Sequence, residues 1–233
     1  MKRNLLIGTL ALLAGSLLAE DPKEAVTNAA KKLGQADNYS WKQTIENAGG
    51  GGFGAGPSEG KTQKGGYTWL SMTMRDNTIE AVKKGDKGAI KGENGWRSLA
   101  EASEGDRGPG TFMARRIQNF KAPAAQAEEL AGKVKELKQD GEVVGGELTE
   151  DGAKSLLMFG GRGGGNGPEI SGAKGSVKFW IKDGQLAKYE TKVKGSISFN
   201  GNDRDIDRTT TVAIKDVGST KLDVPQEAQK KSE

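Results

Sequence analysis

Apolar and polar residues alternate most cleanly between Gly175 and Phe199, where Val177, Phe179 and Ile181 interleave with Ser176, Lys178, Trp180 and Lys182. A period of two places the three apolar side chains on one face of a strand. Asp183-Gly184 follows, a pair that accepts the positive φ of a two-residue reversal. A second alternating run begins at Leu186. One face of the resulting hairpin is apolar, and the other carries Lys178, Lys182, Lys188, Lys192 and Lys194. A sheet that is wet on one side packs its other side against something, and what that something is decides the function.

The same reading extends along the chain. Asp21-Pro22-Lys23-Glu24 opens a helix: Asp21 is a favourable N-cap, Pro22 fits the first turn and Glu24 stands three after the cap. Ala25, Val26, Ala29, Ala30 and Leu33 form its apolar stripe, and Gly34 is its expected stop. Asn38 to Asn47 alternates, with Tyr39, Trp41, Gln43 and Ile45 on one face. Ala48 to Gly66 reads as a glycine-rich connection. Strands are expected over 67–75, 78–83, 89–91 and 96–99, with Leu70, Met72 and Met74 on one face of the first and Asn94-Gly95 as a hairpin signal before the last.

Residues 109–138 read as helical. Phe112, Arg116 and Phe120 are four apart, as are Met113 and Ile117, and Pro123 starts a second helix. Strand returns at 142–148, Thr149 caps a short helix, and a second glycine-rich loop spans 160–175. After the hairpin come a strand at 209–215, a short last strand at 221–224 ended by Pro225, and a polar tail expected to be loose. Strands joined by short turns, with few helices to cover them, predict an α+β fold: a curved antiparallel sheet with helices on its concave face.

Composition sharpens the picture mainly by removal. Gly supplies 36 of 233 residues and only 34% are hydrophobic, so loops are many and the core is modest. The chain has no Cys and no His, which excludes disulfides, thiol catalysis, a lipid-modified N-terminal cysteine and imidazole chemistry. The first residues read as a secretory signal: Lys2 and Arg3, then an uncharged apolar run from Leu5 to Leu18, with Ala19 at a plausible cut. The alternative is an uncleaved anchor. Cleavage after Ala19 leaves 214 of 233 residues, and the loss of Lys2 and Arg3 lowers the net charge from +4 to +2. That charge gives no reason to expect nucleic acid.

Three motifs invite chemistry and do not sustain it. AGPSEGKT at 55–62 matches the loosest phosphate-loop pattern, yet glycines precede it where a strand is needed and no helix pattern follows, so it reads as a flexible hairpin loop. Asp203, Asp205 and Asp207 alternate like the start of a calcium loop. Arg208 stands where that loop needs Gly and Ile214 where it needs Glu, so the segment reads as a charged hairpin with Arg204 and Arg208 neutralising the carboxylates. Nothing in the sequence around the acidic pairs, Glu101 with Glu104 or Glu128 with Glu129, predicts a perturbed pKa, so they read as helix or loop surface, and no nucleophile is found with a base and an orienting group. The aromatic and Met residues are either ordinary core or the wall of a cavity adaptable to acyl chains.

The opening helix followed by NYSWKQTIE, then ENGWRSL, GGELTEDGAKSLL, VKFWIKDGQLAKYE and a close in LDVP resemble the bacterial lipoprotein-carrier superfamily, the LolA, LolB and LppX-like proteins. The resemblance covers nearly all of the mature chain. It implies an open antiparallel half-barrel with helices on the concave face, binding lipid or lipoprotein acyl chains there. The sequence departs from LppX-like members in its glycine-rich insertions and in lacking an anchoring Cys.

The expectation is therefore a signal peptide over 1–19, one domain over 20–225 and a flexible tail over 226–233. The protein is expected to be a periplasmic or secreted, non-enzymatic carrier or sensor with no cofactor and no metal. The alternative is an envelope structural or interaction module with a filled core. Trp41, Ile45, Leu70, Met72, Met74, Val177, Phe179 and Ile181 are the expected cavity wall; Phe112, Met113, Ile117 and Phe120 are the expected lid. Expected partners are an acyl chain and an envelope protein, with no nucleic acid and no stable membrane span once the signal is removed.

Overall fold

The computed structural model describes residues 20–48, 58–74, 77–104, 109–158, 168–199 and 201–232. The segment read as a signal lies outside them, as do most of the two glycine-rich runs.

Helix α1 (Pro22–Gln35) is capped as its sequence requires: the Asp21 carboxylate accepts from the amides of Lys23 at 2.8 Å and Glu24 at 3.2 Å. Val26, Ala29, Ala30 and Leu33 are its buried stripe, and the helix passes Gly34 before stopping at Ala36. Six strands follow: β1 (Asn38–Asn47), β2 (Ser58–Gln63), β3 (Thr68–Met74), β4 (Asn77–Lys84), β5 (Lys87–Gly92) and β6 (Gly95–Ser98). Three helices come next, α2 (Leu99–Ser103), α3 (Pro109–Gln118) and α4 (Pro123–Ala131). Then come β7 (Lys138–Asp140), β8 (Val143–Glu147), α5 (Glu150–Leu157), β9 (Glu169–Lys182), β10 (Gln185–Phe199), β11 (Asn202–Lys215) and α6 (Gln226–Lys231).

All eleven strands form one open sheet in the order β6-β5-β4-β3-β2-β1-β11-β10-β9-β8-β7, and every pairing is antiparallel. The fold is thus α+β, a curved and unclosed antiparallel sheet, as the sequence pattern predicts. It consists of two meanders, β1–β6 and β7–β11. They are joined sideways where β1 lies along β11, from Ser40 opposite Lys215 to Asn47 opposite Arg208.

The hairpin anticipated at Asp183-Gly184 joins β9 to β10, and both residues have positive φ, 52° and 68°. β10 ends at Phe199 as the alternation suggested, whereas β9 begins at Glu169, inside the stretch read as the second glycine-rich loop. Register shifts between Leu186 and Lys188 and between Lys194 and Ser196 interrupt the period while pairing continues.

Several segments depart from the sequence reading. The stretch read as a loop around Ser58–Gln63 is β2, which has no apolar residue of its own and is held between β1 and β3. The Trp41 ring lies flat over Gly60, where a Cβ would come within 2.2 Å of the indole. The helical region breaks before Pro123 and ends at Gly132, whose amide reaches the carbonyls at the end of α4; beyond it the chain returns to the sheet through a Val134–Leu148 bridge and β7. Ser98 and Glu101 form a reciprocal capping box that starts α2, an element absent from the sequence reading. Residues 221–224 are not a strand: they pair with neither edge of the sheet, β6 or β7. The tail expected to be loose from Gln226 is α6.

Two apolar clusters result, one on each face of the sheet. The larger lies on the concave face under α1 to α5. The smaller places Ala228 of α6 against Val82, Ala89 and Trp96 on the outer face of β4, β5 and β6. Lys231 reaches Glu101 at 3.4 Å beside it.

Candidate functional site

The concave face is two-ended. At the end holding the β9–β10 turn, α1 and α4 lie across the sheet. Phe179 is 0% exposed, and Leu186, Tyr189, Val144, Ala29, Ala127 and Leu130 close around it. Two tyrosines fasten α4 down. The Tyr39 hydroxyl accepts from the Ala124 amide at 3.4 Å, one of the amides a helix start leaves unpaired. The Tyr189 hydroxyl donates to the Gln126 side-chain oxygen at 2.7 Å. Burial outweighs the Ala124 bond and pushes the Tyr39 hydroxyl up to about 12. Burial, with the neighbouring Tyr39, raises that of Tyr189 as well.

The opposite end is less covered. Ile45 of β1, Ile79 of β4, Ile170 of β9, Ile197 of β10 and Ile206 of β11 lie towards that end and are all half-buried. Register places them on one face: Ile197 is opposite Ile170, Ile79 opposite Met72 and Ile45 opposite Thr210. Leu156 of α5 joins them, also half-buried. Two walls flank this rim, α5 on one side and α3 on the other. Spacing by four puts Phe112, Arg116 and Phe120 along one side of α3 and its last turn. Phe120 stacks on Trp41, with ring centroids 5.9 Å apart and planes at 11°. Phe112, at the other end of that line, is 47% exposed.

Charge enters the same region. Arg208 of β11 lies opposite Val193 and Asn47, so it faces the apolar side and is only 8% exposed. Its guanidinium donates to the Leu156 carbonyl near the end of α5. Burial, and then the charge of nearby Arg116, lower its pKa from the ordinary value. Burial does the same to Arg116. Lys83 donates to the Gln118 carbonyl and, at 3.3 Å, to the Phe120 carbonyl, so an ammonium caps the end of α3.

The carboxylates of Asp203, Asp205 and Asp207 do not neighbour these cations. Alternation turns them to the outer face, where Asp207 pairs with Lys194 at 2.6 Å. The expectation that Arg204 and Arg208 neutralise them is therefore corrected: by the same alternation both arginines belong to the opposite face, Arg204 opposite Ile197 and Arg208 opposite Val193. Among the described residues no cluster of acidic side chains is arranged to hold a metal ion.

Of the expected wall, Trp41, Leu70, Met72, Val177 and Phe179 are buried in the concave cluster, and Ile181 packs on it half-exposed. Ile45 is half-buried at the rim. Met74 lies in β3, but its side chain is outside what the structure describes. Of the expected lid, Met113 and Ile117 are buried, Phe120 is half-buried on Trp41 and Phe112 stands out. Phe179 and Phe112 thus belong to different ends of the face. Sequence reasoning missed the rim isoleucines beyond Ile45, and both arginines. Alternation within β11 carried the signal for Arg208.

No family model matches the chain, and no curated protein does. Among solved structures it is similar to LprF from Mycobacterium bovis at 12% identity and TM-score 0.49, over 89% of this chain and 97% of that one. It is similar to the Mycobacterium tuberculosis lipoprotein LppX at 10% identity and TM-score 0.48, over 88% and 98%. A DUF1329 family protein from Desulfovibrio piger follows at 9% identity and TM-score 0.30, over 86% and 95%. The face described above stands on its own residues.

Proposed function

We propose that this protein is an exported, non-enzymatic carrier or sensor that holds an acyl chain of a lipid or lipoprotein on the concave face, between the rim isoleucines, α3 and α5. The observation that carries the reading is the row of half-buried apolar residues on five strands, next to an exposed Phe112. Apolar surface left half-wet on a covered face is surface a guest can finish burying. Each methylene buried contributes about 0.8 kcal/mol, so a chain of about ten reaches roughly micromolar affinity before ordering costs. Trp41, Leu70, Met72, Met113, Ile117 and Val177 form the floor beneath the guest. Export rests on the basic start and apolar run of residues 1–19; among the described residues no helix is long and apolar enough to cross a membrane.

The Trp41–Phe120 stack favours a second reading, a filled core in an envelope interaction module, because it already occupies the space above Trp41. One pair of measurements separates the two. Organic extraction of the purified protein, followed by mass spectrometry, is expected to yield lipid in stoichiometric amount, and a fluorescent fatty acid is expected to titrate to saturation. Absence of both sinks the carrier and leaves the filled module.

A further inference from the structure

We propose that a band of lysines on the convex face, Lys188, Lys215, Lys42 and Lys61, closed at its ends by Trp180 and Trp69, docks the protein on a bilayer rich in anionic phospholipid. The choice of a bilayer as the anionic partner rests on the exported carrier reading; the band itself does not.

Tyr189, Ile214, Trp41 and Leu70 belong to the concave cluster, so Lys188, Lys215, Lys42 and Trp69 beside them point the other way. Trp180 alternates with buried Phe179 in the same manner, and Lys61 with Gly60, over which Trp41 lies. Register arranges these outward residues in two rows. In one, Trp180 is opposite Lys188, Lys188 opposite Ala213, and Ala213 opposite Lys42. In the other, Lys215 is opposite Ser40, Ser40 opposite Lys61, and Lys61 opposite Trp69. The four lysines therefore step diagonally over β10, β11, β1 and β2, each about 7–8 Å from the next. With the two tryptophans the band crosses six adjacent strands in the middle of the sheet, about 24 Å at the usual spacing of about 4.8 Å between strands.

Like charges on neighbouring strands repel, and a surface that serves only stability pairs opposite signs. Among the described residues none of these four lysines is in an ion pair. The carboxylates nearest the band are Glu59, opposite Lys42, and Asp216, which accepts from the Ser40 hydroxyl at 3.0 Å. Glu190 lies in the next row, opposite Lys178. Aromatic rings hold the two ends: the Lys188 ammonium is 3.5 Å from the Trp180 ring centroid, and that of Lys61 is 5.8 Å from the Trp69 ring. Ammonium groups on long stems beside half-buried indoles suit the headgroup zone of a bilayer, where phosphates meet the cations and Trp settles at the interface. A convex face touches a flat bilayer along its middle strands, where the band runs, and has no groove to wrap a linear polyanion. Helix α6 covers β4, β5 and β6 and leaves the band open.

The test is co-sedimentation of the mature protein with vesicles of phosphatidylcholine alone, and of equal parts phosphatidylcholine and phosphatidylglycerol. Binding is expected to the second and not to the first, and is expected to vanish in about 1 M salt, where the Debye length is about 3 Å. Lys42→Gln with Lys215→Gln takes two charges from the centre of the band. This pair is expected to weaken binding about twenty-five-fold, since each lysine near an anionic surface contributes about fivefold. Lys23→Gln with Lys31→Gln takes the same charge from exposed positions of α1, across the sheet, and is expected to weaken binding less than about twofold. Lys42→Arg with Lys215→Arg keeps the charge and is expected to bind as the unaltered protein does. Absence of binding to the anionic vesicles overturns the inference and leaves the carrier, whose fatty-acid titration is independent of it. Equal weakening by the α1 pair and the band pair means that net charge alone is at work, and overturns it too. Tighter binding to soluble polyglutamate than to the vesicles, at equal charge, makes the band a polyanion site and overturns the bilayer.

Discussion

The two ends of the concave face use similar residues and reach different degrees of closure. Under α1 and α4, small side chains on the helices, Ala29, Ala30, Ala124 and Ala127, let the backbones come close to the sheet, and Phe179 vanishes beneath them. Under α3 and α5, isoleucines on five strands remain half in water. At the first end α4 is tied by Tyr39 and Tyr189. At the second the described polar contacts across the face come from cations, Lys83 to the end of α3 and Arg208 to the end of α5. One end is built for stability and the other leaves apolar area unspent, which is the division a binding protein needs.

The comparison breaks or sharpens on substitution. The largest effect is expected from Phe179→Ala at the closed end, which should cost about 3–5 kcal/mol in denaturant unfolding. Ile197→Ala at the rim should cost only about 1–2 kcal/mol, because half of its surface is already wet. Equal losses would erase the distinction between the ends.

The next effect is alkaline. The unfolded chain releases the Tyr39 proton at the ordinary value of 10, while the folded protein holds it up to about 12. The stability involved is therefore complete below pH 10 and is lost as pH rises from 10 through 12. It amounts to about 2–3 kcal/mol, and Tyr189 acts in the same direction. Melting curves across that range should show the loss, and Tyr39→Phe should reduce it, leaving the part due to Tyr189. A smaller change, about 1 kcal/mol, is expected for Asp21→Ala, which removes the α1 cap. Smallest in stability is Phe112→Ser, under about 0.5 kcal/mol. The same substitution should weaken dodecanol binding about fivefold, since the exposed ring is then no longer there to be covered. A Phe112→Ser protein that binds unchanged would remove α3 from the site.

Much of this was legible where a local pattern coincided with its surroundings. Val177, Phe179 and Ile181 alternate, Asp183-Gly184 turns, and the hairpin follows; Asp21 caps a helix whose stripe is visible in the sequence. Legibility failed where an element borrows its structure. SEGKTQ in β2 is a strand because Trp41 and Leu70 lie on either side of it, and nothing in those six residues says so. QEAQKK in α6 has one Ala to bury, and only the distant Val82, Ala89 and Trp96 make that burial possible. At the site, the alternation that revealed the strands should also have separated Arg208 from Asp207. Reading the run as a charged hairpin in which the arginines neutralise the aspartates hid it.

The seam between β1 and β11 has a consequence for how the molecule comes into being. The first strand made must wait for the last, since its second neighbour is not available until Lys215 has been synthesised. Until then β1 and β10 each show a bare edge, open to any passing strand. Assembly is governed by that late, long-range zippering rather than by either meander, and a chain cut short before Asn202 would leave two half-sheets with nothing to join them.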